Sequence, residues 1–208
     1  MNLRFLGDVH DHWKGSMIDL LLRNNLLEKF KVDPMLTDYS QWGEIDYSLY
    51  CKILRIKRSM LIHHSEDLCL SRKTYIDEIL SVEGDIFFDP DIGICTNTRP
   101  GYEHLKASEL YLILNHIPSR IVMVYQHIRA RKARERIVEI FDYLQKQGAG
   151  INALSYHSAS VAMLFLSKDS ERYYRFCKYF EQMLDWHSNR LLFQWERPRK
   201  KLELIQRI

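Results

Sequence analysis

Two short apolar runs that stop at polar residues constrain the fold of this chain more than any other feature. One lies within 85–89 and stops at Asp89 and Pro90, and the other covers 121–125 and stops at Gln126 and His127. Uninterrupted apolar runs of this length, bounded by glycine, proline or polar residues, are typical of buried strands. The sequence therefore predicts a sheet whose central strands are covered on both faces.

Helical periodicity between these runs predicts an alternation of strands and helices. We expect helices over 14–27, 45–55, 71–80, 102–116, 131–147 and 170–192, and strands over 30–36, 59–63, 85–89, 121–125, 151–156 and 161–167. Alternating elements with short links are typical of βαβ units around a parallel sheet. The predicted class is α/β, with a mostly parallel sheet flanked by helices and an antiparallel pair of strands, 151–156 and 161–167, at the C-terminal edge.

The composition predicts one domain over 1–208, with an N-terminal loop and helix over 1–28 and a basic tail over 195–208. The chain is 46% hydrophobic and 27% charged, close to ordinary globular composition. Its four cysteines include no Cys-x-x-Cys pair, and no apolar run approaches the roughly 20 residues that span a bilayer. We therefore expect a soluble, cytoplasmic protein with no membrane partner. The oligomeric state stays open.

Polar residues at the predicted strand ends form a candidate site. In open α/β sheets, ligands bind outside the carboxyl ends of the strands. The residues expected at these ends are Asp38, His63, Asp89, Asp91, Gln126 and His127. We assign Asp38, Asp89, Asp91 and His127 as candidate catalytic residues, and Gln126 as a candidate substrate contact.

Asp89 and Asp91 are candidate metal ligands, because Pro90 between them redirects the chain. Carboxylate oxygens suit a divalent ion such as Mg²⁺ or Mn²⁺, and His127 suits proton transfer or ligation. The alternative is that the two aspartates cap a turn that Gly93 completes, and that His127 bonds only to neighbouring backbone.

A basic cluster follows the second apolar run, and its members are Arg129, Arg131, Lys132, Arg134 and Arg136. Positive charge in the first turns of a helix is unfavourable with respect to the helix dipole, and a bound polyanion offsets that cost. We therefore predict a phosphorylated substrate, such as nucleic acid, bound by Arg129, Arg131, Lys132 and Arg134. The alternative is a solvated helix face paired with Glu135 and Glu139.

An Asp-x-His sequence at Asp8 and His10 resembles the start of calcineurin-like metallophosphoesterases. In an extended strand the two side chains would point the same way, as metal ligands must. Those enzymes also carry a Gly-Asn-His-Asp or Gly-Asn-His-Glu turn, for which this chain offers only 114–117. The alternative is an exposed loop before a helix.

The segment 85–91, with the sequence DIFFDPD, is similar to the strand that ends in DPPY in adenine-N6 methyltransferases. The segment 5–14, FLGDVHDHWK, resembles the N-terminal segment of a ribosomal-RNA adenine methyltransferase family. This resemblance implies a Rossmann-like fold with S-adenosylmethionine as cofactor, Asp89 facing the target base and Asp38 near the cofactor. The turn at 35–39, where that fold carries glycines, contains none.

Three functions follow from these patterns, in order. The first is hydrolysis of a phosphodiester with a divalent ion at Asp89 and Asp91. The second is methyl transfer by a divergent S-adenosylmethionine-dependent enzyme. The third is a non-catalytic Rossmann-like module that binds a partner.

Overall fold

A sheet of six strands with helices on both faces is the main element of the computed structural model. The structure describes residues 2–37, 39–64, 68, 71–96, 101–128, 132–148, 150–158, 160–191 and 203–207. Its helices are α1 (Val9–Arg23), α2 (Glu44–Leu54), α3 (Arg72–Ser81), α4 (Ala107–His116), α5 (Ala133–Gln147) and α6 (Ser170–Leu191), and short 3-10 helices cover Leu3–Phe5, Tyr39–Gln41 and Arg58–Met60. Its strands are β1 (Lys31–Asp33), β2 (Ile86–Phe88), β3 (Gly93–Cys95), β4 (His104–Lys106), β5 (Val122–His127), β6 (Asn152–His157), β7 (Val161–Ser167) and β8 (Glu203–Arg207).

The α/β class is confirmed, but the prediction of a mostly parallel sheet is wrong, because the sheet is mixed. Its order is β1-β2-β5-β7-β6-β8. The pairs β1/β2 and β2/β5 are parallel, whereas β5/β7, β6/β7 and β6/β8 are antiparallel. The cause is the tight turn after β6, which sends β7 back antiparallel between β5 and β6.

The predicted antiparallel pair of late strands is present, but another strand lies outside it. The Ser158 amide donates to the Val161 carbonyl at 2.9 Å and closes the turn between β6 and β7. β8 pairs with the other side of β6, so β8 is the outermost strand at this end of the sheet. The predicted basic tail thus contributes a strand at 203–207, and residues 192–202 lie outside the described residues.

Successive side chains along the central strands point to opposite faces of the sheet and pack in two separate hydrophobic cores. Phe87 of β2 packs on the side of α1, α2 and α6, whereas Ile86 and Phe88 pack on the side of α3, α4 and α5. This period of two is what a pleated strand buried on both faces requires. The apolar runs that predicted buried strands therefore supply residues to both layers of helices.

Helix α1 begins earlier than its predicted start at residue 14. The Asp8 carboxylate accepts the amides of His10 and Asp11, a helix N-cap that starts the helix at Val9. Asp8 and His10 therefore do not lie on an extended strand, as the comparison with metallophosphoesterases required. None of the described helices combines the length and the apolar character needed to cross a membrane.

Helices α1 and α2 touch backbone to backbone at Gly15. A Cβ atom at this position would lie 2.1 Å from the Ile53 carbonyl oxygen and 2.9 Å from the Leu54 Cα atom. Glycine permits this close approach because it has no side chain. The contact determines where the preceding residue, Lys14, enters the protein interior.

We expect Gly15→Ala to lower the free energy of unfolding by about 1–3 kcal/mol, because the added methyl group must push two backbones apart. Urea denaturation followed by circular dichroism measures this change. Ser16→Ala, on the exposed side of the same helix turn, is the matched control and should leave the midpoint close to wild type. Equal effects of the two substitutions would contradict the close approach at Gly15.

Candidate functional site

A cavity of about 440 Å³ lies beside the carboxyl ends of β2 and β5. This volume is within the range of small-molecule sites in proteins. The lining residues come from the N-terminal segment, from α1, from the loop after β2, from the residue before β4 and from β5, and they are Asn2, Phe5, Asp8, His10, Asp11, Lys14, Asp89, Pro90, Asp91, Ile92, Glu103, Tyr125 and His127. We call it the Asp89 pocket.

Lys14 is the central cation of this pocket, although it is only 3% exposed. Its Nζ atom lies 2.8 Å from Asp11 Oδ1 and 2.8 Å from Asp89 Oδ1, and 4.2 Å from the centre of the Tyr125 ring. Burial disfavours charge on Lys14, but the two carboxylates outweigh it and raise the pKa of the ammonium above its ordinary value. Lys14 thus remains a buried cation shared by two acids.

Burial also acts on Asp11, which comes from the first turn of α1. Burial raises the pKa of Asp11 above its ordinary value, and Lys14 opposes that rise. Its second oxygen accepts the Gly7 amide at 2.8 Å, which holds the N-terminal segment against the helix. The carboxylate is therefore oriented from two sides.

Asp89 receives a second donor from the other side of the pocket. The Tyr50 hydroxyl of α2 donates to Asp89 Oδ2 at 2.9 Å. Burial, followed by the nearby charge of Asp89, raises the pKa of Tyr50 well above its ordinary value, so its hydroxyl keeps its proton. Lys14 and Tyr50 together determine the orientation of the Asp89 carboxylate.

The Tyr125 hydroxyl is the one side-chain group of the pocket that is buried without a hydrogen-bond partner among the described residues. Tyr125 is 1% exposed. Burial, and then the charges of Asp89, Asp8 and Asp11, raise the pKa of this phenol, so it is a proton donor. A buried donor without an acceptor costs about 1–3 kcal/mol, and an acceptor on a ligand would remove that cost.

Two histidine rings lie beside the Tyr125 ring. His127 and His10 lie with their ring centres 4.9 Å and 6.3 Å from that of Tyr125, and 6.0 Å from each other. Phe5 lines the same pocket and is 56% exposed. The pocket therefore combines flat walls with carboxylates, which suits a flat ligand that carries amino groups.

The two aspartates predicted as metal ligands both line the pocket, but they have different partners. The Asp91 carboxylate accepts the Thr37 hydroxyl at 2.6 Å, whereas Asp89 binds Lys14 and Tyr50. Within the ranges that the structure describes, no group of three or more His, Cys, Asp or Glu side chains is arranged to hold a metal ion. The Lys14 ammonium lies between Asp11 and Asp89 and so occupies the position that a metal ion shared by these two carboxylates would need.

Gln126 is buried and bonded to the protein. Its Oε1 atom accepts the Ile94 amide at 2.7 Å, and its Nε2 atom donates to the Ile92 carbonyl at 3.1 Å and to the His127 carbonyl at 2.9 Å. Gly93 lies directly against this amide with φ +115°, which leaves no space for a side chain. Gln126 thus holds the strand β3 beside β5.

The basic cluster after β5 is described only in part, since Arg129 and Arg131 lie outside the described residues. The candidate catalytic residue Asp38 also lies outside them. Lys132 is 84% exposed and lies 3.2 Å from Glu135. Arg134 is exposed on α5. Arg136 binds Thr96 at 2.8 Å and Glu139 at 2.9 Å. Glu135 and Glu139 are the partners that we expected if this cluster is a solvated helix face, the alternative to a phosphate site.

Sequence reasoning missed Asp11 and Tyr50 as members of the site. A signal was present, because Asp11 and Lys14 are three residues apart on the helix face that continues with Met17, Ile18 and Leu21. Two charges at core positions of an apolar stripe indicate a buried ion pair. The partner Asp89 is 75 positions further along, so no local pattern connects it.

A second polar cluster lies at the carboxyl end of β1. His64 is held between two carboxylates, with Nε2 3.2 Å from Asp33 and Nδ1 2.8 Å from Glu78. The Tyr75 hydroxyl donates to the same Asp33 carboxylate, and its ring stacks on His64 at 3.8 Å. Burial opposes the charge of His64, but the bonds to Asp33 and Glu78 raise its pKa above the ordinary value.

We expect Lys14→Met to lower the free energy of unfolding by about 3–5 kcal/mol near neutral pH, because Asp11 and Asp89 lose their shared cation. The loss should be smaller near pH 4.5 than near pH 7.5, since protonation of one carboxyl removes the buried charge. Urea denaturation at both pH values measures it. Lys29→Met, at an exposed pair with Glu83, is the control and should change little.

An equal loss for Lys14→Met at both pH values would show that Lys14 stabilises the fold by packing alone. The double substitution Lys14→Met with Asp89→Asn should recover part of the stability, because it also removes one of the two unpaired charges.

The raised pKa of His64 predicts a pH dependence with a definite sign. Protonation is favoured in the folded state, so the stability that His64 contributes is fully present below its unfolded pKa of about 6.5. That contribution is lost as the pH rises through the folded value. His64→Gln should therefore flatten the fall in unfolding free energy between about pH 6 and 8. The exposed His116→Gln on α4 is the control, and a wild-type slope in His64→Gln would refute the assignment.

Comparison of the sequence with models of known protein families and with curated proteins finds no match. The case for a function therefore rests on the pocket itself. Its distinguishing features are an oriented Asp89, a buried lysine and a phenol that lacks an acceptor among the described residues.

Proposed function

We propose that the chain is a Rossmann-like methyltransferase that acts on the amino group of a nucleobase, with the Asp89 pocket as its active site. The observation that carries this proposal is the pairing of an acceptor with a donor on one pocket wall. Asp89 is oriented by Lys14 and Tyr50, and Tyr125 has a buried hydroxyl without a partner among the described residues. A nucleobase offers the complementary pair, an amino group beside a ring nitrogen.

The position of the pocket supports this proposal. β1 bonds to β2 on one side, and Val32 forms a parallel bridge with Leu61 on the other. The next two segments of chain to bond to β1 thus lie on opposite sides of it, which places the carboxyl ends of β1 and β2 where the direction of chain crossover reverses. The parallel strands are followed along the chain by the antiparallel pair β6/β7, and the Rossmann-like methyltransferase fold that the chain resembles also ends in an antiparallel pair of strands.

The charge of the pocket supports a cationic cofactor. Its acidic lining residues are Asp8, Asp11, Asp89, Asp91 and Glu103, against the single lysine Lys14 and two histidines. S-adenosylmethionine carries a sulfonium and an ammonium group, so the donor set fits it, and Asp8, Asp91 and Glu103 are the residues that would hold it. When bound, that cofactor supplies an electrophilic methyl group.

The turn after β1, beyond the lining of the Asp89 pocket, has a constrained backbone although it contains no glycine. Met35 has φ +46°, a left-handed backbone that residues other than glycine rarely adopt. The Met35 amide donates to Asp33 Oδ1 at 2.9 Å and holds the turn in place. Strained backbone of this kind is concentrated at functional sites.

The protein groups have separate roles in this proposal. Asp89 accepts a hydrogen bond from the amino group of the base, and Tyr125 donates to a ring nitrogen. His10 and His127 lie beside Tyr125 and are placed to take up the proton that the amino group loses. Lys14 and Tyr50 are positioning residues, because they act on the substrate only through Asp89.

Methyl transfer accounts for the geometry better than hydrolysis with a divalent ion. Hydrolysis requires carboxylates that converge on the ion, whereas Asp89 shares the Lys14 ammonium with Asp11 and Asp91 binds Thr37. A pocket lined by acids also offers few cations for phosphate.

We expect calorimetry to show binding of S-adenosylmethionine, and labelled cofactor to transfer its methyl group to RNA, DNA or an adenine nucleoside. Tyr125→Phe should lower kcat/KM about tenfold, the loss of roughly one hydrogen bond to the ligand. It should leave stability unchanged or higher, because the hydroxyl has no partner among the described residues to lose.

Tyr174→Phe is the matched control, since its ring is 66% exposed on α6. Absence of both cofactor binding and methyl transfer would refute the proposal. Divalent-ion-dependent cleavage of the same nucleic acids would instead support hydrolysis.

A further inference from the structure

A second cavity lies on the other side of the N-terminal segment from the Asp89 pocket. It is an open groove of about 500 Å³ between the start of α1 and the helix α2. Its lining combines the apolar side chains of Leu6, Leu49 and Ile53 with two cations, Lys52 and Arg55, and the imidazole of His12. We call it the Lys52 groove.

The charge of the Lys52 groove is opposite to that of the Asp89 pocket. No acidic side chain is found among the described residues that line it. Lys52 is exposed and has no acidic partner among the described residues. Arg55 is 54% exposed, and one of its nitrogens lies 3.2 Å from Asp19. The groove is therefore suited to anions, which the pocket is not.

One short segment forms a wall of both cavities. Phe5 and Asp8 line the Asp89 pocket, whereas Leu6 and Gly7 line the Lys52 groove. Phe5 is 56% exposed, and exposed aromatic rings are stacking platforms for unpaired bases. A ligand that extends out of the Asp89 pocket past Phe5 has to cross only this segment to reach the basic side chains of the Lys52 groove.

We propose that the Lys52 groove binds the phosphate backbone of a single strand of nucleic acid, one base of which enters the Asp89 pocket. The inference rests on the proposed function, because it takes the occupant of the pocket to be a base. Charge complementarity selects the occupant, since phosphates need cations that the acidic pocket lacks. The strand is single because a base must leave its stack to reach a concave, buried site.

The test is binding of fluorescein-labelled single-stranded RNA and DNA 12-mers, followed by fluorescence polarisation at several salt concentrations. Lys52→Glu should raise Kd about tenfold at low salt and reduce the slope of log Kd against log salt by about one. Lys146→Glu makes the same charge change on α5, which packs on the opposite face of the sheet. It should leave Kd and slope as in wild type.

Equal weakening by Lys52→Glu and Lys146→Glu would overturn the inference, and so would wild-type Kd in both. Absence of oligonucleotide binding by the wild type would also overturn it, while methyl transfer to a free nucleoside would leave the proposed function intact. Conversely, Lys52→Glu alone could weaken oligonucleotide binding while the wild type neither binds the cofactor nor transfers a methyl group. That result would support the groove as a nucleic-acid site and refute the methyltransferase.

Discussion

The buried ion pair of Lys14 with Asp11 and Asp89 is the interaction on which the rest of the site depends. It joins the first helix to the end of a central strand across 75 positions of sequence. The Asp11 and Asp89 carboxylates are each 1% exposed, and burying both charges near neutral pH is compatible with a stable fold only because they share a counter-charge. The N-terminal segment, the helix α1 and the loop after β2 are thereby held in one arrangement around the pocket.

Another buried carboxylate, Asp85, has a different role at the amino-terminal ends of the strands. Asp85 accepts the amides of Glu28 and Ile121 at 2.7 Å and 2.8 Å, and two nitrogens of Arg172 at 2.8 Å and 2.7 Å. These bonds connect the residues that precede β1 and β5 with the helix α6. Asp85 accepts four hydrogen bonds from the protein, whereas the Tyr125 hydroxyl near the carboxyl ends of the strands has no partner among the described residues.

Local pattern located the six helices and the most apolar strands, but it failed for the strand predicted over 59–63, where the structure has a 3-10 helix at Arg58–Met60, and for most of the strand pairing. The apolar runs at β2 and β5, and the amphipathic stripe of α5, lie close to their predicted bounds. The position of β7 between β5 and β6, the strand β8 and the small sheet of β3 and β4 were missed, because each depends on contacts distant in sequence. The same limit applies to the site, where Asp89 and His127 were found at strand ends, and Asp11 and Tyr50 were not.

The position of β7 has a consequence for how the chain folds. β7 bonds to β5 on one side and to β6 on the other, so the two halves of the sheet meet only through Val161–Ser167. Until that segment is synthesised, β5 presents an open edge of unpaired amides and carbonyls along an apolar strand. Such an edge is a template for aggregation, and its closure requires contacts of long sequence separation, which form slowly. Nascent or truncated chains that lack β7 are therefore the species most exposed to misassembly.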